Sequence, residues 1–330
     1  MAAGKPRILS GIRPTGPLHV GHLLGALTNW AALQDKYDCH FMVADWHALT
    51  TDWQDTSEVR KWSLENLACL MAAGLDPKRC VLFRQSDVIE HAELHLLLSM
   101  ITPVPWLERV PSYKEQQEQL KDRDLTNYGF LGYPVLQAAD ILAYKASFVP
   151  VGEDQVAHLE LTREIARRFN SAFGTVFPEP KPLLTSTPRL PGPDRRKMSK
   201  SYGNTIELGF DRDQTWKRVQ QMFTDPKKIH LGDKGHPEDC VVFEYHKAFN
   251  AMAVPEVERT CRDGSRGCVD CKKQLLEALW ERMRPVQEKR EKLLKDPKAL
   301  EGILADGAER ARAVARETLR DVRAAMKLAG

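Results

Sequence analysis

An α/β domain with a mainly parallel sheet, followed by an all-helical C-terminal domain, is the fold class that this sequence predicts. Three observations predict it. From Arg7 to about Leu190, short apolar runs alternate with longer amphipathic ones, the order that lays down parallel strands joined by helices. Beyond about Phe210 the strand signals fade, and amphipathic segments rich in Ala, Leu, Arg and Glu take over. With 330 residues, the chain is long enough for one large domain and a smaller one, with a core that needs no disulfide or membrane support.

Residues 7–12, 40–44, 80–83, 148–151 and 183–186 are the strand candidates. Between them, residues 21–36, 57–73, 91–100, 131–144 and 155–169 are expected as helices, and residues 272–290 and 300–328 form the clearest helices of the second domain. Pro14-Thr15-Gly16-Pro17 follows the first strand, and Pro150-Val151-Gly152-Glu153-Asp154 follows a later one. In open α/β sheets, turns at the carboxyl ends of strands line the ligand crevice. Pro191-Gly192-Pro193, with Asp194-Arg195-Arg196 behind it, reads as a mobile connector. The expected organisation is therefore a sheet domain over residues 1–194, a mobile loop over 195–206 and a helical domain over 207–330.

Composition excludes little. The net charge of +3 is too small to demand an anionic partner, because a solvated basic surface explains it equally well. No segment approaches the roughly 18 apolar residues of a membrane span, and Met1 to Pro6 is followed by no apolar leader region, so a cytoplasmic protein is expected. Cys39, Cys69 and Cys80 are scattered through apolar segments and are expected as buried, reduced thiols.

Thr15 to His22 sits between the first strand and a helix, where backbone N–H groups and the positive helix end favour a phosphate. His19 and His22, three residues apart, can both donate to phosphate oxygens, and Gly21 lets a flat base approach the backbone. Far downstream, Lys197-Met198-Ser199-Lys200-Ser201 places two ammonium groups three residues apart on a loop, where they can meet a polyphosphate as leaving-group charge develops. Either segment alone fits a solvated surface; the pair, in this order, is far more specific.

His19-Val20-Gly21-His22 and Lys197 to Ser201 resemble the two motifs of class I aminoacyl-tRNA synthetases, with Val20 in place of the usual Ile. The resemblance implies a Rossmann-type catalytic domain and an amino-acid carboxylate attacking the α-phosphate of ATP. The products are an aminoacyl-adenylate and diphosphate, and the aminoacyl group then passes to the terminal tRNA ribose. No protein nucleophile is needed. Catalysis rests on positioning and electrostatics with Mg²⁺ accompanying ATP. Lys197 and Lys200 are then expected to carry transition-state charge, with His19 and His22 on the phosphates.

The Ser10-Gly11-Ile12-Arg13-Pro14-Thr15-Gly16 opening, the Tyr133 to Leu142 segment and the Val149 to Gln155 turn resemble the tryptophan branch of that family, over about residues 7 to 205. This implies ATP contacts at Arg13, Pro14, Thr15, Gly21, His22, Gly152, Glu153, Asp154, Leu190, Lys197, Met198, Ser199, Lys200 and Ser201. Asp140 suits an indole, because a ring N–H donates and cannot accept, so a buried carboxylate rewards it and rejects an analogue without it. Tyr133, Gln137 and Asp140, spaced by four and three, share one helix face. Gly11, Tyr133, Gln137 and Gln155 complete the implied tryptophan site, with Tyr133 and Gln155 on the ammonium group. Tyrosine is the rival substrate, since Gln137 suits the related tyrosine branch. A nucleotidyltransferase of the same fold and a silent RNA-binding paralogue are the rival classes. The resemblance also implies tRNA(Trp) and L-tryptophan as partners and a homodimer, with an interface in the insert around residues 70–150.

Cys240, Cys261, Cys268 and Cys271 lie together in the second domain, and in a cytosolic setting such a group reads as metal ligation. Spacing alone leaves zinc and a cubane cluster open. The layout is similar to a subset of bacterial tryptophan enzymes, which implies a [4Fe-4S] cluster, with zinc the alternative. Arg259, Arg262, Arg266, Lys272 and Lys273 surround it and are candidates for tRNA phosphate contact.

Overall fold

The structure, a computed structural model, describes residues 5–111, 113, 124–152, 155–184, 190–199 and 202–328. The chain forms two compact units. One comprises Met1–Thr15, Ala26–Ser186 and Asp296–Gly330, the other Gly16–Gly25 and Thr187–Lys295.

The first unit is built on five parallel strands: β1 (Arg7–Ile12), β2 (Asp38–Val43), β3 (Val81–Arg84), β4 (Phe148–Val151) and β5 (Lys181–Leu184), in the order β3-β2-β1-β4-β5. This is the α/β parallel-sheet class expected from the sequence, with a Rossmann-like strand order. Between β1 and β4 the direction of winding reverses. The two turns singled out above, at Pro14 and Gly152, follow these two strands and so flank the switch point where open sheets bind ligands.

The helices in chain order are α1 (Val20–His22), α2 (Thr28–Leu33), α3 (Asp45–Asp52), α4 (Val59–Ala72), α5 (Glu90–Ser99), α6 (Val104–Glu108), α7 (Tyr128–Ala143), α8 (Val156–Phe173), α9 (Arg212–Gln220), α10 (Val241–Phe249), α11 (Val254–Arg262), α12 (Cys268–Leu294) and α13 (Pro297–Ala325). The single helix expected over 21–36 is interrupted by a π-turn at Leu23–Leu27, a distortion that often accompanies functional sites. Helix α3 was not expected, because its buried Asp45, His47 and Thr51 break the apolar periodicity that marks a core-facing helix. Asn127 starts α7 by accepting from the Phe130 N–H at 2.9 Å.

Helix α13 departs most from expectation. The sequence reading placed residues 207–330 in one helical domain, yet α13 packs on β3 and belongs to the sheet unit. Leu300, Leu304, Ala308, Ala311, Ala315, Leu319 and Val322 are buried along it. Ion pairs from Arg312 and Arg316 to Glu90 and from Arg323 to Glu93 join it to α5. Each fully buried leucine contributes about 2 kcal/mol, and two of the three ion pairs end on the buried Glu90, so apolar packing and a partly buried charge cluster together hold the helix. Its tightest point is Gly307, where a Cβ would meet the Leu82 carbonyl oxygen at 1.8 Å.

In the second unit, α9 and α10 pack on α12, and α11 packs on α10. Asp211 and Gln214 form a reciprocal capping box at the start of α9. Among the described residues, no helix is long and apolar enough to cross a membrane.

Gly307→Ala is expected to destabilise the protein by about 1–3 kcal/mol through overpacking, although Ala is the better helix former. Gly302→Ala, on the same helix with nothing near its added methyl, is expected to stabilise by up to about 1 kcal/mol. Urea midpoints of the two variants, moving in opposite directions, check this account of the docking.

Candidate active site

The two motifs of the second unit lie against each other. Leu18 to Val20 runs beside residues 206–208: the Val20 N–H donates to the Ile206 carbonyl at 2.9 Å and the Leu208 N–H to the Leu18 carbonyl at 2.8 Å. The His19 N–H donates to His22 Nδ1 at 3.2 Å, and the two rings lie 3.8 Å apart. A neutral His22 ring that accepts at Nδ1 carries its proton on Nε2, so the outer nitrogen is a donor suited to a phosphate oxygen. A Cβ on Gly21 would come to 3.0 Å from the His19 ring and 3.7 Å from Met198 Sδ. Met198 is buried while Lys197 is exposed, so the loop is anchored by the thioether and offers its ammonium outward.

Asn204, which the sequence did not suggest, holds this loop. Its Nδ2 donates to Asp194 Oδ1 at 2.7 Å and to the Lys197 carbonyl at 3.1 Å, and its Oδ1 accepts from the Ser199 N–H at 2.8 Å. Gly192 makes room for it, since a Cβ there would overlap the Asn204 amide. The Pro191-Gly192-Pro193 connector is thus a fitted seat, with Pro191 bridged to Lys197. Lys200 and Ser201 lie outside the described residues, as do Glu153 and Asp154 of the other turn.

In the first unit, Asp140 on α7 has no exposed surface and is the centre of a polar cluster. Its Oδ1 accepts from His91 Nδ1 at 2.5 Å and from Gln85 Nε2 at 2.8 Å. Its Oδ2 accepts from His47 Nε2 at 2.7 Å and again from Gln85 Nε2 at 3.0 Å. The Gln85 Oε1 in turn accepts from the His47 N–H at 3.3 Å, which orients the amide. Burial alone would raise the Asp140 carboxyl, but hydrogen bonds and charge from His47 and His91 outweigh it and hold its pKa at about 2. The group is a carboxylate at neutral pH.

Tyr133 stands on the same helix, half-buried, with its hydroxyl 2.8 Å from His158 Nε2, and Gln137 lies one turn on, also half-buried. Tyr133 helps to line a cavity of about 270 Å³ together with Trp46, Trp53, His95, Tyr128 and Leu136. Gln137 and Asp140 do not line it. The expectation of one face shared by Tyr133, Gln137 and Asp140 therefore needs refinement, because the helix buries its second half and the carboxylate lies deeper than the phenol. Gln155 precedes α8, and its N–H closes a turn on the Gly152 carbonyl at 3.0 Å. Arg13 and Thr15 are exposed, Pro14 is buried, and the Arg13 carbonyl accepts from the Thr15 N–H at 2.9 Å and from Asn66 at 3.4 Å. Gly11 is the penultimate residue of β1, beside Met42, whose Cγ would stand 2.7 Å from an added Cβ. Leu190 is half-buried in the second unit.

Cys240 precedes α10, Cys261 lies on α11, and Cys268 and Cys271 occupy the first turn of α12; all four are half-buried thiols. Burial and the neighbouring thiols push the Cys271 thiol up to about 12, and Cys240 and Cys261 shift in the same direction for the same reasons. Among the described residues, no group of three or more His, Cys, Asp or Glu side chains is placed to hold a metal ion. The surrounding cations are largely engaged within the fold: Arg262 with Glu238 and Glu258, Arg259 with Asp263, Arg266 with Gln274, and Lys272 with the Gln220 carbonyl.

A family model for tRNA synthetases of class I, tryptophan and tyrosine, matches residues 1–284. The chain belongs to this family. The synthetase is 50% identical to the tryptophan–tRNA ligase of Thermotoga maritima over 98% of its own length and 99% of that protein. Identity to the tryptophan–tRNA ligase of Aquifex aeolicus is 43%, over 98% and 100% of the two chains. The crystal structure of tryptophanyl-tRNA synthetase from Campylobacter jejuni, complexed with ADP and tryptophan, is similar with a TM-score of 0.88 at 34% identity, covering 98% of this synthetase and all of that chain.

His47, Gln85, His91 and Tyr144 escaped the sequence reading of this synthetase. A signal existed for two of them. His47 and Gln85 follow the carboxyl ends of β2 and β3, the positions at which an open sheet presents its ligands, but neither segment carries the Gly and Pro punctuation of the turns after β1 and β4.

The low pKa of Asp140 gives a pH dependence. A carboxyl held at about 2 in the fold, below its usual 3.8, adds stability that is complete above that usual value and is lost as pH falls through about 2. The contribution is about 2 kcal/mol. In urea titrations from pH 5 to pH 2, Asp140→Asn is expected to start lower than the parent and to lose less over that interval; a parallel decline would mean that other carboxylates set the acid limit.

Proposed function

We propose that this synthetase is a tryptophan–tRNA ligase that activates L-tryptophan with ATP and Mg²⁺ and transfers it to tRNA(Trp) for protein synthesis in the cytoplasm. The observation that carries the chemistry is the close approach of the His19-Val20-Gly21-His22 turn to the Met198 loop. It brings imidazole donors and the Lys197 segment, two motifs far apart in sequence, to one place. Identity to tryptophan–tRNA ligases over nearly whole chains supports the choice of amino acid. Asp140 accepts the indole N–H in exchange for one of the four hydrogen bonds its oxygens accept here, of which the one from His47, at the edge of the cluster, is the most accessible. Tyr133 and Gln155 hold the ammonium group, with Gly11 and Gln137 beside them. Arg13, Pro14, Thr15, Gly21, Gly152, Glu153, Asp154 and Leu190 contact ATP, together with Met198, Ser199 and Ser201. Lys197 and Lys200 stabilise the charge that develops on diphosphate, and His19 and His22 hold the phosphates.

Diphosphate exchange into ATP tests this. It is expected to depend on tryptophan and not on tyrosine, and Lys200→Ala is expected to lower kcat by about 10²–10³ with a much smaller change in the KM for tryptophan. Exchange driven by tyrosine, or by no amino acid, would sink the assignment.

The finer reading of the four thiols is a [4Fe-4S] cluster held by Cys240, Cys261, Cys268 and Cys271, tying the starts of α10 and α12 to α11. The thiols of Cys240, Cys261 and Cys268 all act on that of Cys271, which supports their grouping, and the same four thiolates would also suit a zinc ion. A homodimer is supported by Ile89, Leu96, Met100, Val104 and Tyr128, which are exposed on α5 to α7 and the turns beside them. Protein purified without oxygen is expected to be brown and to lose its colour in Cys268→Ser; colourless protein with one zinc per chain would overturn the cluster.

A further inference from the structure

The polar cluster around Asp140 extends one residue beyond what recognition of a substrate demands. His91 touches the carboxylate through Nδ1, and its other nitrogen, Nε2, lies 2.6 Å from the Tyr144 hydroxyl. Asp140, His91, Gln85 and Tyr144 have essentially no exposed surface, and His47 alone reaches the edge at 8%. A carboxylate only accepts, so His91 Nδ1 donates to it, while Nε2 pairs with the Tyr144 hydroxyl, which can both donate and accept. Tyr144, His91 and Asp140 therefore form one continuous hydrogen-bonded chain. Each link fixes the tautomer or rotation of the next.

Apolar side chains of similar volume would stabilise this core at least as well, because removing polar and charged groups from water is costly even when they are paired. What the chain of donors supplies is orientation. With Gln85 straddling both oxygens and His91 and His47 on opposite ones, the carboxylate cannot turn about its Cβ–Cγ axis without breaking hydrogen bonds inside the core.

We propose that His91, held by Tyr144, is a positioning residue for amino-acid selection: it locks the Asp140 carboxylate in the orientation from which Oδ2, whose His47 partner lies at the edge of the cluster, meets the ring N–H of the substrate. This inference rests on Asp140 being the indole acceptor. Neither His91 nor Tyr144 touches the substrate, so their loss weakens discrimination without removing the acceptor.

The test is diphosphate exchange with tryptophan and with its benzothiophene analogue, which keeps the shape and replaces the ring N–H by sulfur. His91→Leu is expected to lower the kcat/KM preference for tryptophan by about tenfold or more, mainly through KM. His91→Asn, which retains a donor near the Nδ1 position, restores most of that preference, and Tyr144→Phe lowers it a few-fold. A merely structural role would lower thermal stability and leave the preference where it was. If His91→Leu does not fold, Tyr144→Phe and His91→Asn carry the test by the same ratio. Should Asp140→Asn abolish the preference while the folded His91 and Tyr144 variants keep it, the positioning role is overturned and the acceptor stands. Should Asp140→Asn itself keep the preference, the acceptor reading fails, and this inference with it.

Discussion

A carboxylate with no exposed surface, lying in the middle of the sheet unit, constrains much of what surrounds it. Several kcal/mol of lost hydration must be offset for each buried ion, and around Asp140 the offset comes from donors on three separate segments: His47 on α3, Gln85 after β3 and His91 on α5. Those segments can meet α7 only if β2 and β3 end at the same level. Asp45 ensures this, since its carboxylate accepts from the Ser86 N–H and hydroxyl and so ties the two strand ends together. Helix α5 is held from its far side by α13, through Glu90 and Glu93. The last helix of the chain thus braces the element that carries His91.

The second unit solves a different problem. Its turn at His19 to His22 and its loop at Lys197 to Ser199 present charged and polar groups to solvent, which by itself leaves a backbone with little to hold it. Main-chain hydrogen bonds to residues 206–208 and the buried amide of Asn204 supply the hold. The exposed lysine then stands on an anchored backbone. The turn and the loop thus divide the work between a fixed main chain and reaching side chains.

Most of the architecture was legible along the chain. Each of the five strands was read within about three residues, because the buried parallel strands appear as short apolar runs and the exposed edge strand β5 still carries Pro182, Leu183 and Leu184. The His19–His22 turn and the Lys197 loop stood out because each is a run of consecutive residues. Three features were not. Helix α3 hides its period behind buried polar residues, the π-turn at Leu23–Leu27 has no signal of its own, and the four-cysteine spacing is silent about which metal it suits.

The sequence by itself determined the alternation of strands and helices, the positions of the ligand turns and the identity of Asp140 as an unusual acid within an apolar helix, since all of these are carried by local periodicity and residue type. Only the tertiary structure decided that α13 leaves the helical segment to cover β3, that Asn204 seats the lysine loop, and that His47, Gln85, His91 and Tyr144 converge on one carboxylate. The reason is physical: such contacts join residues tens to hundreds of positions apart, and whether a polar side chain meets a buried charge depends on where packing brings its backbone, about which its neighbours in sequence carry no information.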